Sequence, residues 1–156
     1  MEKMIIFYDG SCPLCVAEMK QLQQLNVRKR LMFEDILAVD FQQRFPNISV
    51  QKASNVLHGL LYQDTGIINK YQAETTLLLG LDVTYQAWKM VGKKPWLKLL
   101  RLPVIRFFAD KAYLFFARNR YHISALLTGK ARCKQCSQQY SLHASLSQCF
   151  LRFLKV

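Results

Sequence analysis

Two cysteines separated by two residues lie between a strand-like segment and a helix-like segment near the start of the chain. Residues 4–8, MIIFY, form a run of β-branched and aromatic residues that ends at an Asp-Gly pair, which is typical of a buried strand. After Cys12 and Cys15, apolar residues recur at helical spacing from Val16 to Leu25. This order predicts a strand–turn–helix unit that carries both thiols at the start of its helix.

The next segments extend this unit to a small α/β domain. Residues 31–36 predict a second strand, and residues 37–56 predict short helix and loop. The apolar runs at residues 57–63 and 66–71 predict a hairpin, and residues 73–91 carry helical periodicity. Strand, helix, strand, connection, hairpin and helix follow one another as in a minimal thioredoxin-like domain. We therefore predict an α/β fold with a small mixed sheet flanked by helices.

Charge is distributed unevenly along the 156 residues. Residues 1–88 carry a net charge of −1, whereas residues 89–156 carry a net charge of +13. From residue 93 onward the pattern is helical, basic and aromatic, and Pro95 and Pro103 are expected to begin or break helices. The asymmetry predicts anionic partners for the C-terminal part.

These patterns divide the chain into three segments. We predict a thioredoxin-like core at residues 1–92. A basic helical extension at residues 93–130 is expected to pack on that core within the same domain. Residues 131–156 form a C-terminal tail that contains a second C-x-x-C.

The position of the first two cysteines favours thiol chemistry. Cys12 lies close to the unpaired N–H groups and the positive dipole end of the helix, which favour the thiolate that attacks disulfides. Cys15, one turn further on, can resolve a mixed disulfide by closing a small ring. Asp9 can raise the pKa of Cys12, accept the proton of Cys15, or only shape the turn. A pair of small buried thiols and one half of a metal site are alternative interpretations.

The second pair, Cys133 and Cys136, gives the metal interpretation its strongest argument. Both pairs together would make a four-thiolate zinc site, but more than a hundred residues separate them, far beyond the compact spacing of zinc ribbons. Basic residues around the second pair favour thiolates and equally an anion, and an auxiliary redox pair, a partial metal site and incidental cysteines are the other interpretations of Cys133 and Cys136. We expect no bound metal and no cofactor, and keep a zinc-stabilised binding module as an alternative function. Cys149 is expected to be an ordinary thiol.

Location and partners follow from the apolar segments. The run at residues 4–8 is shorter than the hydrophobic region of a secretory signal, so we expect a cytoplasmic protein, in which a C-x-x-C is typically catalytic or metal-binding. Charged residues interrupt residues 96–121 every few positions, which disfavours a membrane span. A basic helix rich in aromatic residues can still lie on an anionic membrane surface, and an adaptor of this kind is the second alternative. No nucleic-acid motif accompanies the charge, so no nucleic-acid partner is expected.

The same residues resemble a known family. The opening YDGSCPLC resembles the D-G-x-C-x-x-C signature of the DCC family of thiol–disulfide oxidoreductases. Asp110, Tyr113 and the segment ARNRY at residues 117–121 are similar to the second motif of that family. The resemblance spans about residues 4–124, with both motifs in the expected order.

The resemblance implies a thioredoxin-like fold and a dithiol active site at Cys12 and Cys15, with Asp9 as the third signature residue. It implies a thiol or disulfide substrate, either a protein or a small thiol. On this basis we expect a thiol–disulfide oxidoreductase of the protein-disulfide reductase type.

The arginines of the second motif have three interpretations. Arg118 and Arg120 can bind a carboxylate, a phosphate or a helix C-terminus, because guanidinium groups suit anions and carbonyl oxygens. They can pair with Asp110, which lies about two helical turns before Arg118. The interpretation that we favour is a structural clamp that seats the C-terminal helix.

Overall fold

A computed structural model describes residues 1–63, 75–129 and 132. Within these residues a four-stranded mixed sheet is flanked by helices, which confirms the predicted fold class. The strands are β1 (Glu2–Tyr8), β2 (Leu31–Asp35), β3 (His58–Gln63) and β4 (Thr75–Leu79). The helices are α1 (Pro13–Leu25), α2 (Phe41–Arg44), α3 (Val50–Asn55), α4 (Leu81–Met90), a 3-10 helix (Pro95–Arg101) and α5 (Pro103–Thr128).

Strand β1 lies inside the sheet, whose order is β2-β1-β3-β4. It runs parallel to β2, with Met4 opposite Leu31 and Tyr8 opposite Asp35, and antiparallel to β3. The carboxyl ends of β1 and β2 therefore meet at the same edge of the sheet. The turn that follows β1, which carries the cysteines, lies at this edge beside Asp35.

The sheet separates two apolar clusters, because successive side chains of β1 point to opposite faces. Met4 and Ile6 pack in a cluster with side chains of α1, α4 and the 3-10 helix. Ile5 and Phe7 pack in the other cluster, which includes Phe41 of α2 and the neighbouring Phe45, Ile48 and Ala53. The four β1 side chains are at most 4% exposed, so β1 is buried on both faces, as its continuous apolar run predicts.

The helix predicted at residues 73–91 is shorter than its periodicity indicated. Residues 75–79 form β4, which pairs antiparallel with β3, and α4 begins only after Gly80. Gly80 has a φ of 56° and donates its N–H to the carbonyl of Leu57 at 2.7 Å, so the chain turns at this point. The second strand of the predicted hairpin, residues 66–71, lies outside the described residues.

The 3-10 helix and α5 each begin at a proline, as predicted, because the first helical turn needs no N–H donor at that position. Helix α5 contacts both α1 and α4. Of the predicted tail, only Arg132 is described, and the three segment boundaries stay predictions. Within the described part of the chain, the apolar stretches of the helices are too short or too charged to cross a membrane.

Candidate functional site

The turn after β1 places Cys12 at the N-cap position of α1. The backbone N–H of Cys15 points at the Sγ of Cys12 at 3.4 Å, and Pro13 occupies the first helical position. Upstream, the N–H of Gly10 donates to the Asp35 carboxylate at 3.0 Å. A Cβ atom at Gly10 would overlap this carboxylate, so the close approach of the turn to β2 requires glycine.

The two thiols differ in acidity. Cys15 Sγ–H donates to Cys12 Sγ at 2.7 Å, and this hydrogen bond is the main reason that the pKa of Cys12 falls to about 7. Burial opposes the shift, the charge of Arg120 supports it and the charge of Asp9 opposes it. The pKa of Cys15 is raised, first by the same hydrogen bond and then by burial. Of the two thiols, Cys12 is therefore the one that ionises first as the pH rises.

The more acidic of the two thiols is the less exposed one. Cys12 is fully buried, whereas Cys15 is partly exposed. An incoming disulfide reaches Cys12 Sγ only after side chains around it move. The pKa difference and the exposure therefore point to different cysteines as the first to react with a reagent.

Asp9 is a fully hydrogen-bonded, buried carboxylate. Its Oδ1 accepts from the N–H of Ser11 at 2.8 Å and from the Ser11 hydroxyl at 2.7 Å. Its Oδ2 accepts from Arg120 Nη2 and from the Tyr121 hydroxyl, each at 2.6 Å. Burial disfavours ionisation, but the hydrogen bonds from Tyr121 and Ser11 and the charge of Arg120 outweigh it and lower the pKa of Asp9. The Asp9 carboxylate is therefore ionised at neutral pH and is bound to α5 through Arg120 and Tyr121.

The pair formed by Arg120 and Asp9 joins the second motif to the first. Their side chains are 10% and 1% exposed, respectively. Asp110 instead pairs with Arg106 at 3.6 Å, on the exposed side of α5. For Arg120, these contacts support the clamp that seats the C-terminal helix; they do not involve Arg118. Sequence spacing could not identify Asp9 as the partner.

An inner cavity of about 50 Å³ lies between α1 and α5. Glu18 lines this cavity together with Cys15 and accepts a hydrogen bond from the Trp88 indole N–H at 3.2 Å. Burial raises the pKa of Glu18, although Trp88 and Lys94 act in the opposite direction. The apolar spacing of α1 gave no indication that Glu18 lines this cavity; its position one turn after Cys15 was the available signal.

Tyr113 lines the inner cavity from α5. Its hydroxyl oxygen accepts the N–H of Leu57 at 3.1 Å, and burial raises its pKa to about 12. Its ring also lies within contact distance of the position that a Cβ at Gly80 would occupy. Tyr113, which belongs to the second motif, therefore positions the start of β3 and the start of α4 against α5.

No group of three His, Cys, Asp or Glu side chains that could hold a metal ion occurs within residues 1–63, 75–129 and 132. The zinc alternative depends on Cys133 and Cys136, which, like Cys149, lie outside these residues.

Comparison with known families identifies the same segment of the chain. Residues 6–126 match the model of a family described as DCC1-like thiol-disulfide oxidoreductase. No curated protein and no solved structure matches the chain.

Proposed function

The chain belongs to the DCC1-like thiol-disulfide oxidoreductase family, and on this premise we propose that Cys12 and Cys15 are its redox-active dithiol. Family membership indicates thiol–disulfide chemistry with thiol or disulfide substrates. The observation that carries the assignment to these two residues is their geometry. The two sulfurs lie 2.7 Å apart at the start of α1, and the pKa of Cys12 is about 7.

In the first step the Cys12 thiolate attacks one sulfur of a substrate disulfide. A bond forms between Cys12 Sγ and that sulfur, the substrate S–S bond breaks, and the other substrate sulfur leaves as a thiolate that takes a proton from solvent. With a pKa of about 7, roughly half of Cys12 is ionised at neutral pH, so the nucleophile needs no separate base.

In the second step Cys15 attacks Cys12 Sγ and releases the remaining half of the substrate. The main causes that raise the pKa of Cys15 are its hydrogen bond to Cys12, its burial and the charge of Cys12. When Cys12 enters a mixed disulfide, it loses its negative charge and no longer serves as a strong acceptor. The pKa of Cys15 therefore falls at the stage when Cys15 must become a nucleophile. The dithiol ends as a Cys12–Cys15 disulfide, and the substrate has gained two electrons and two protons.

Glu18 is the proposed acceptor of the Cys15 proton. Glu18 and Cys15 both line the inner cavity, and this cavity has room for a bridging water. The raised pKa of Glu18 makes it a stronger base than Asp9, the other nearby carboxylate. Asp9 has a lowered pKa and uses both oxygens in four hydrogen bonds. We propose that Asp9 is a positioning residue that fixes the cysteine turn against α5.

The direction that we propose is reduction of the substrate disulfide. Strongly oxidising dithiols have a nucleophilic cysteine of much lower pKa, because a very stable thiolate favours the reduced form. A pKa of about 7 at Cys12 indicates only moderate stabilisation of the thiolate. This value supports a reductase rather than a strong oxidant.

Mass spectrometry of the full chain in redox buffers of graded potential tests the dithiol. We expect a reversible Cys12–Cys15 disulfide and no disulfide at these positions in Cys12→Ser. Cys15→Ser is expected to accumulate a mixed disulfide on Cys12. If no Cys12–Cys15 bond forms in any buffer, the proposal is wrong.

Alkylation of the reduced protein distinguishes acidity from exposure. If Cys12 is the nucleophile, its alkylation rate rises with pH around an apparent pKa near 7 in spite of its burial. Faster alkylation of Cys15 at pH 7 in the wild-type protein would assign the attacking role to Cys15 instead.

A second candidate function rests on an aromatic stripe of α5, defined here as Val104, Phe107, Phe108 and Phe115. These side chains are between 62% and 73% exposed and recur at helical spacing, so they form one apolar face. Residues 93–129 carry eight Lys or Arg and a single acid, Asp110. We propose that this face attaches the protein to an anionic membrane surface, since apolar insertion and lipid charge act together there.

Co-sedimentation with vesicles tests this attachment. We expect binding to phosphatidylserine-containing vesicles at low salt, weaker binding at high salt, and a loss of binding in the double variant Phe107→Ser, Phe108→Ser. Val39→Ser is the matched control, because Val39 is exposed but lies outside α5. Equal sedimentation of the double variant and the control would refute the attachment.

A further inference from the structure

We infer that the substrate of the proposed dithiol is a small disulfide that bears carboxylates. The inference rests on the proposed exchange at Cys12 and Cys15, and it concerns a second cavity that the exchange itself does not use. This arginine cavity has a volume of about 580 Å³. It is lined by Ser54, Asn55, Val56, Leu114, Ala117, Arg118, Arg120, Tyr121 and Arg132.

The arginine cavity is strongly cationic. It is lined by three arginines, and no acidic side chain is among its described lining residues. Arg120 is neutralised by Asp9, but Arg118 and Arg132 have no carboxylate partner within the described part of the chain. Two guanidinium groups are therefore available to an anion in a space large enough for a small molecule.

Arg132 is held in place by neutral groups. Its Nε–H donates to the Ser11 hydroxyl at 3.1 Å, and its guanidinium lies 5.0 Å from the centre of the Tyr121 ring. These contacts orient the guanidinium without cancelling its charge. The cation is thus pre-positioned beside the turn that carries the nucleophile.

The arginine cavity adjoins the thiol pair. Ser11, which holds Arg132, immediately precedes Cys12, and Arg120 lines both the arginine cavity and the inner cavity of Cys15. An anionic group bound between Arg118 and Arg132 therefore lies next to the cysteine turn. A disulfide attached to that group through a few bonds is held beside the cysteine turn, so its effective concentration is raised when the side chains around the buried Cys12 Sγ move.

Carboxylates fit this arrangement through bidentate hydrogen bonds to guanidinium groups. Oxidised glutathione is a suitable probe because it is a small disulfide with several carboxylates and a net negative charge. 2-Hydroxyethyl disulfide, which is neutral, and cystamine, which is cationic, present the same S–S bond without the carboxylates. In each case Cys12 and Cys15 lose two electrons, and the probe is released as two thiols.

The test measures the second-order rate constant for formation of the Cys12–Cys15 disulfide with each probe, by acid quenching and mass spectrometry of the reduced full chain. Each rate is divided by the rate of the same probe with dithiothreitol, which removes differences in intrinsic reactivity. We expect the normalised rate to be highest for oxidised glutathione and lowest for cystamine. The preference should shrink as salt is raised, because both arginines are exposed to solvent.

Variants assign the preference to the arginine cavity. Arg118→Gln and Arg132→Gln are each expected to lower the ratio of the glutathione rate to the 2-hydroxyethyl disulfide rate by about fivefold. Arg28→Gln is the control, since Arg28 is exposed and follows the opposite end of α1 from Cys12. Equal normalised rates for the three probes, or an unchanged ratio in both arginine variants, would overturn the inference while leaving the dithiol intact. Failure of every probe to form the Cys12–Cys15 bond would instead refute the dithiol.

Discussion

Replacement of Asp9 by asparagine is expected to move stability and thiol acidity in opposite directions. The carboxylate accepts four hydrogen bonds from Ser11, Arg120 and Tyr121. Asparagine has the same size but offers one acceptor oxygen and one NH₂ group. The hydroxyls of Ser11 and Tyr121 can rotate to accept, whereas the Ser11 N–H and the Arg120 guanidinium can only donate. One N–H donor therefore always faces the new NH₂ group.

The loss of stability follows from the burial of the ion pair. The Arg120 side chain is 10% exposed, and in the variant it keeps its charge without the carboxylate. Removal of one partner of a buried ion pair costs about 3–5 kcal/mol, because the remaining charge is desolvated and unpaired. This is a large share of the roughly 5–15 kcal/mol that stabilises a typical domain.

The acidity of Cys12 is expected to rise in the same variant, whereas its stability falls. The charge of Asp9 raises the pKa of Cys12 and the charge of Arg120 lowers it. The variant removes the first effect and leaves the second without its counter-charge, so the pKa of Cys12 is expected to fall by about one unit from about 7. Near pH 6 the ionised fraction of Cys12 should then rise from about one tenth to about one half.

Urea unfolding gives the free energy of unfolding, and the pH dependence of Cys12 alkylation, read by peptide mass spectrometry, gives its pKa. Asp110→Asn is the matched control, because Asp110 pairs with Arg106 where both side chains are about half exposed. It should change stability by less than about 1 kcal/mol. Tyr121→Phe removes no charge but two hydrogen bonds, the one that its hydroxyl donates to Asp9 and the one that it accepts from Arg120, and is expected to cost about 1.5–3 kcal/mol if Asp9→Asn does not fold. An unchanged or raised pKa of Cys12 in Asp9→Asn, or a stability equal to that of Asp110→Asn, would refute the reasoning.

Three further outcomes are expected. Glu18→Gln should slow closure of the Cys12–Cys15 disulfide from the mixed disulfide by about 10²-fold, measured by quenched mass spectrometry, and an unchanged rate would exclude Glu18 as the proton acceptor. Gly10→Ala should lower the free energy of unfolding by about 1–3 kcal/mol in urea titrations, because its Cβ overlaps a carboxylate, and wild-type stability would contradict this packing. Since the pKa of Asp9 is lowered in the fold, its ionisation stabilises the native state above its unfolded pKa of about 3.9, and this contribution is lost as the pH falls through the native pKa. Acidification from about pH 5 to about pH 3 should therefore destabilise the wild type more than Asp9→Asn; equal losses would show that Asp9 carries no such linkage.

Local sequence patterns were sufficient to predict the first two strands of the sheet and the helix between them. Strands β1 and β2 and helix α1 were predicted because a buried strand and an amphipathic helix leave distinct spacings of apolar residues. Strand β4 was missed because residues 75–79 and α4 form one apolar stretch that also satisfies helical spacing. The strand exists because β3 offers an antiparallel edge, and Gly80, with its positive φ, ends it. Pairing of this kind depends on a distant segment, which local periodicity does not contain.

The candidate site divides in the same way. Spacing alone indicated Cys12 and Cys15, because the chemistry of a C-x-x-C at a helix start is local. The partner of Arg120 could not be read from spacing, since Asp9 lies 111 positions away and Asp110 lies on the same helix. The resemblance indicated that both motifs belong to one family. The folded chain shows that they are in contact, through the ion pair between Asp9 and Arg120.

The hydrogen bonds between Asp9 and α5 link the turn that carries both cysteines to a segment that is synthesised much later. The segment with both cysteines leaves the ribosome first, whereas Arg120 and Tyr121 follow Asp9 by 111 and 112 positions. Until they arrive, Asp9 opposes ionisation of Cys12 with no cation to offset it. In a chain synthesised only as far as α4, the proposed dithiol therefore lacks the cation that favours its thiolate, and the docking of α5 supplies that cation.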